Sequence, residues 1–190
     1  MRSIPKPDLA PVYAQLVLAE RVMIVTGFPI RTADGRVCCE TDGPVGAADM
    51  AYALMRCGIR TAVVTDETSL QQVRAAIDCR APDARTYLLK KKGDAAAAMR
   101  LVDDFMPTHI LPIERPGKAS DGHCRSARGA VIDDMLADTD MLYAYAREQG
   151  AVAIAIGDGG NELGTGAHRE AVARLIPDGS AIAAALDADY

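Results

Sequence analysis

At 190 residues the chain has the length of a single domain, long enough to bury ~70% of the unfolded chain's surface without a disulfide or metal staple. Twenty-one Lys and Arg against 26 Asp and Glu leave a net charge of −5, which speaks against a nucleic-acid surface. The composition, 49% hydrophobic and 25% charged with no Trp, is that of a soluble globular protein whose core is built from Ala, Val, Ile, Leu and Met.

Taken in chain order, the pattern alternates strand and helix. Residues 12–20 read as an amphipathic helix, and 21–26 as a compact apolar strand ended by Gly27. A polar loop over 29–43 leads to Pro44, a good first helical residue. The helix to 57 presents Ala47, Met50, Ala51, Leu54 and Met55 on one face and stops at Gly58. Strand 61–65 is followed by a turn at Asp66 and a helix over 69–76. A weaker strand spans 86–89, and Asp94 caps an Ala-rich helix that Pro107 breaks after 105. Strand 109–113 contains Pro112 and is expected to be short or marginal. A polar segment over 114–129 interrupts the rhythm before a helix over 132–148, a stop at Gly150 and a last strand over 151–156. This order predicts a three-layer α/β domain: a mostly parallel sheet, helices on both faces, right-handed crossovers, Rossmann-like in outline.

The five cysteines form no CxxC pair, which fits reduced thiols in a cytoplasmic protein. The proline-rich start does not resemble a secretion signal, and no apolar run reaches the length of a membrane span. No nucleic-acid or membrane partner is expected.

The most informative stretch runs from Ala153 through Gly157-Asp158-Gly159-Gly160-Asn161-Glu162 to Gly166. An apolar run stops there and five glycines follow within ten residues, the way a buried strand delivers polar groups to the carboxyl edge of a sheet. Two further polar segments follow strands. Glu40-Thr41-Asp42-Gly43-Pro44-Val45-Gly46 enters a helix whose start favours anions. Glu114-Arg115-Pro116-Gly117-Lys118, continuing to Asp121-Gly122, carries a guanidinium fork suited to a carboxylate or phosphate. In a parallel sheet all three loops lie on one edge. They predict a crevice for a small anionic molecule, with carboxylates at hand for proton transfer. No Walker A pattern, no G-x-S-x-G and no G-x-G-x-x-G fingerprint is present, so dinucleotide binding is not expected. Asp158, Asn161 and Glu162, with Asp42 or Glu40, could offer oxygen ligands to a divalent cation such as Mg²⁺.

These segments, together with Val25-Thr26-Gly27-Phe28-Pro29-Ile30 and Val64-Thr65-Asp66, resemble in order the C-terminal cyclase-like domain of the D-glutamate cyclase family. The resemblance runs from about Val22 to Tyr190. It implies a single cyclase-like domain over 1–190 that lacks the last part of the family domain, leaving a sheet edge for a homodimer to cover. It also implies a lyase activity, the reversible dehydration of D-glutamate to 5-oxo-D-proline. On that reading Arg115 and the helix-start amides near Gly43 hold substrate carboxylates, with Thr41, Asp42, Glu114, Asp121, Gly159 and Gly160 also in contact. Asp158 or Glu162 acts as general acid/base, and Asn161 donates to the developing oxyanion. Where similar members carry Tyr, Asn and Met, this chain has Cys124, Ser126 and Ala127. Two alternatives stand beside it: a non-catalytic module that binds a small carboxylate, and a metal-assisted hydrolase or lyase acting on another small acid.

Overall fold

A computed structural model describes residues 9–91 and 95–190, so the expected cap Asp94 lies outside the described residues. The elements in order are α1 (Ala10–Val17), β1 (Arg21–Thr26), β2 (Pro29–Arg31), β3 (Val37–Cys39), α2 (Asp42–Arg56), β4 (Arg60–Asp66), α3 (Leu70–Arg80), β5 (Arg85–Leu89), α4 (Ala95–Phe105), β6 (His109–Ile113), α5 (Asp140–Glu148), β7 (Val152–Ala153), α6 (Arg169–Leu175) and α7 (Gly179–Ile182). Five strands form a parallel sheet in the order β5-β4-β1-β6-β7. The fold is the three-layer α/β arrangement expected.

The side-chain alternation of β1 shows how the layers form. Val22 and Ile24 face α2 and α3, packing on Ala47, Ala51, Leu54, Val73 and Ile77. Met23 and Val25 face the opposite way, onto Val102 and Phe105 of α4 and Leu142 and Ala146 of α5. A strand apolar on both sides must be central. No described helix is long and apolar enough to cross a membrane, and all five cysteines are free.

Beyond shifts of up to four residues at the ends of α1 and α3, four features differ from expectation. The polar loop contains the antiparallel β2–β3 hairpin, with Ile30 opposite Cys38. The expected helix over 132–148 begins only at Asp140, after a 3₁₀ turn over Asp133–Met135 and an extended Leu136. Strand β6, expected to be marginal, is buried throughout between β1 and β7. Its Pro112 instead shortens β7. Ile154 donates to Ile110 O at 3.1 Å and Ile156 to Pro112 O at 2.9 Å. Proline has no N–H to return to the intervening carbonyl, so regular pairing ends at Ala153 and resumes as a single bridge from Ile113 to Ile156. The outer edge of β7 is occupied by the chain itself: Asp189 N–H donates to Ala153 O at 3.0 Å and Ala155 N–H to Tyr190 O at 3.0 Å.

Candidate active site

The chain winds outward from β1 in both directions, toward β4 and β5 on one side and β6 and β7 on the other. The crevice beyond the carboxyl ends of β1 and β6 is therefore the topological switch point, where open α/β sheets place ligands. A cavity of about 590 Å³ opens there, lined by Phe28 and Pro29 after β1, Glu114 after β6, and Asp158, Gly159, Asn161 and Glu162 after β7.

Glu114 follows directly on β6 with a left-handed backbone, φ 45°, an uncommon conformation for a residue with a Cβ. Its N–H donates to Ile156 O at 2.9 Å. Burial, and then the charges of Glu162, Asp158, Asp42 and Glu40, push its pKa up to about 7. Glu40 on the same wall is raised as well, first by burial and then by Asp42, Asp158 and Glu162.

The glycine-rich loop is folded around Glu162, which is only 2% exposed. Its Oε1 accepts the Gly159 N–H at 2.8 Å and its Oε2 the Gly160 N–H at 2.6 Å. Gly160 has φ +83°, and a Cβ there would come within 2.3 Å of Val172 Cγ2, so only glycine fits. Asn161 is equally buried: its Nδ2 donates to Arg125 O at 2.8 Å and its carbonyl accepts the Gly117 N–H at 3.0 Å. Asp158 stands exposed at the mouth. Carboxylate oxygens of Glu114, Asp158 and Glu162 lie within 4.8 Å of one another, a set whose hard oxygens suit a divalent cation. Glu114 takes the place expected for Asp42 in that set.

Three expected substrate contacts are placed otherwise. Arg115 does not reach the crevice. It is fully buried, with Nε donating to Thr139 Oγ1 at 3.0 Å, Nη1 to Gly27 O at 3.0 Å and Asp66 Oδ2 at 2.6 Å, and Nη2 to Ala137 O at 2.7 Å. Its fork is occupied by the chain's own oxygens. The start of α2 offers few amides to an anion, since Gly43 N–H donates to Asp42 Oδ1 at 2.9 Å and Pro44 has none. Thr41 and Asp42 are exposed beside it. Gly43 matters sterically: a Cβ there would meet Glu114 Cβ at 2.9 Å, so glycine lets α2 approach the crevice. Asp121 is exposed and turned to its own loop, pairing with Arg125 at 2.5 Å and accepting the His123 N–H at 3.1 Å.

The opposite wall was not foreseen. Phe28, Ile132 and Met135 pack with Cys124 and Leu136 in a satellite cluster against which Ile30 rests, and they line the cavity together with Ala127, Ala130 and Val131. Arg31 and Arg128 are the cations among the lining residues. The only sequence signal for this wall is the Phe28-Pro29-Ile30 run after Gly27.

A family model described as "D-glutamate cyclase-like, C-terminal" matches residues 3–190. The chain belongs to this D-glutamate cyclase-like family. It is also 32% identical over 197 residues to the human protein named "D-glutamate cyclase, mitochondrial", an alignment that covers 97% of this chain and 32% of the relative. The chain thus spans about a third of the length of the curated relative it matches. All three loops around the crevice fall within the family match.

Proposed function

We propose that this domain catalyses the reversible dehydration of D-glutamate to 5-oxo-D-proline in the switch-point crevice. The observation that carries the reading is Glu114: a carboxyl at the crevice, surrounded by other carboxylates, in a member of the D-glutamate cyclase-like family. Ring closure joins the α-nitrogen to the carbon of the γ-carboxyl group. Two protons must leave the α-ammonium, and two must arrive at the oxygen that departs as water. A group with pKa about 7 populates both its acid and its base form near neutrality, as this relay requires. The acidic wall attracts the ammonium and holds it near Glu114, while Arg31 or Arg128 receives the α-carboxylate. Glu162, held by the Gly159 and Gly160 amides, keeps the wall in place, and Asp158 closes its outer side.

The general acid/base role therefore moves from Asp158 or Glu162 to Glu114. Glu114→Gln is expected to lower kcat by about 10²–10⁴-fold and to remove the pH-rate limb near pH 7, while far-UV circular dichroism stays unchanged. The test follows D-glutamate and 5-oxo-D-proline separately by ¹H NMR. A wild-type rate in the variant removes Glu114 from the chemistry, and no conversion in either direction by the folded protein removes the reaction. A second reading, a metal-assisted lyase, is favoured by the convergence of the Glu114, Asp158 and Glu162 carboxylates. Loss of activity in EDTA, restored by Mg²⁺ or Mn²⁺, would select it.

A further inference from the structure

The cavity is larger than glutamate requires, and its lining combines acidic and apolar residues. Its volume of about 590 Å³ falls in the ~300–1,000 Å³ range of sites that enclose drug-sized ligands. One group of its lining residues is Glu40, Glu114, Asp158 and Glu162. The other is the apolar wall, where Phe28, Ile132 and Met135 are 3–6% exposed and held by their own cluster, while Val131 is 47% exposed. Glutamate has no apolar group to cover such a wall. Its γ-carboxylate, moreover, must enter a site already crowded with like charge, which favours a cation or a neutral group.

We propose that the same pocket also closes the ring on neutral γ-glutamyl amides whose amine bears an apolar chain, releasing that amine in place of water. The inference rests on the cyclase reading of this site and deepens it by naming a substrate class. In such a molecule the α-ammonium meets the acidic residues and the α-carboxylate meets Arg31 or Arg128. The uncharged amide stands where a carboxylate would be repelled, and the chain on the amide nitrogen extends over the wall. The bonds balance without a co-reactant. The α-nitrogen bonds to the carbonyl carbon of the γ-amide, the bond from that carbon to the amide nitrogen breaks, and the amide oxygen stays as the lactam carbonyl. The α-ammonium gives up two protons, and the departing nitrogen takes both and leaves as an alkylammonium.

The test compares γ-D-glutamyl isoamylamide with γ-D-glutamyl methylamide, two amides of the same chemistry that differ only in apolar reach, beside D-glutamate itself. All three are followed by ¹H NMR for 5-oxoproline and, for the amides, the free amine. Burial of each added methylene strengthens binding roughly fourfold, so kcat/KM for the isoamylamide is expected to exceed that for the methylamide by at least about tenfold. Val131→Asp, which places a charge at the exposed end of the wall, is expected to bring that ratio toward one. A wild-type ratio near one, or release of neither amine, overturns the proposal. If D-glutamate is converted in the same samples, the cyclase reading survives that failure; if none of the three reacts with the folded protein, both fall.

Discussion

Two carboxylates four residues apart in the glycine-rich loop have opposite duties. Glu162 accepts two backbone amides with separate oxygens, so Glu162→Gln loses one of them and its charge. It is expected to destabilise the fold by about 1.5–3 kcal/mol as well as to reduce activity. Exposed Asp158 has no such structural task, and Asp158→Asn is expected to leave the urea midpoint within error while changing only kinetics. Arg115 is the sharper case. It ties the end of β1 (Gly27 O), the end of β4 (Asp66) and the approach to α5 (Ala137 O, Thr139) to the residue after Glu114. Arg115→Ala leaves Asp66 buried and unpaired and is expected to cost about 3–5 kcal/mol, read from urea unfolding. A normal midpoint with impaired substrate binding would restore the substrate role expected from sequence. The residue type announced a bidentate partner, but whether that partner is a ligand or the chain's own Asp66 depends on contacts 49 residues apart.

At the scale of elements, the continuous apolar runs of β1 and β4 and the spaced alanines of α2 were legible because burial alone determines them. The hairpin was not. Val37–Cys39 is three residues long, and only Cys39 of them is buried. Nor was the break before α5, since Ile132, Met135 and Leu136 keep helical spacing while serving the pocket wall instead. Periodicity records that a side chain is buried, without recording against what. The glycine-rich loop depends on α6 in the same hidden way, through the contact of Gly160 with Val172. Gly160→Ala is expected to displace α6 or the loop and cost about 2 kcal/mol, seen as a lower Tm with reduced amide protection at Gly159 and Gly160. An unchanged Tm would show that α6 yields freely.

For the molecule as a whole, buried Asp140 and half-buried Glu114 contribute a pH slope. Burial raises Asp140 to about 6, and burial with neighbouring carboxylates raises Glu114 to about 7. Between their unfolded values near 4 and these folded values the native state binds more protons than the unfolded chain. Their contribution to stability is therefore greatest at the acidic end of that window and falls as pH rises to about 7, then levels, while His109, lowered by burial, contributes in the opposite sense below pH 6.5. Urea midpoints from pH 4.5 to 8 should show the decline, and combining Glu114→Gln with Asp140→Asn should flatten it. An identical slope in the wild type and the double variant would refute the assignment.

The left-handed backbone at Glu114 carries this further. A non-glycine residue there costs about 1–2 kcal/mol, and asparagine tolerates the conformation better. Glu114→Asn relieves part of the strain and removes a carboxylate from a crowded acidic wall, so at pH 8 it should yield a protein that unfolds at higher urea with kcat lowered as in Glu114→Gln. The crevice is thus a place where the chain is locally at odds with its own folding, and selection for stability alone would erase it.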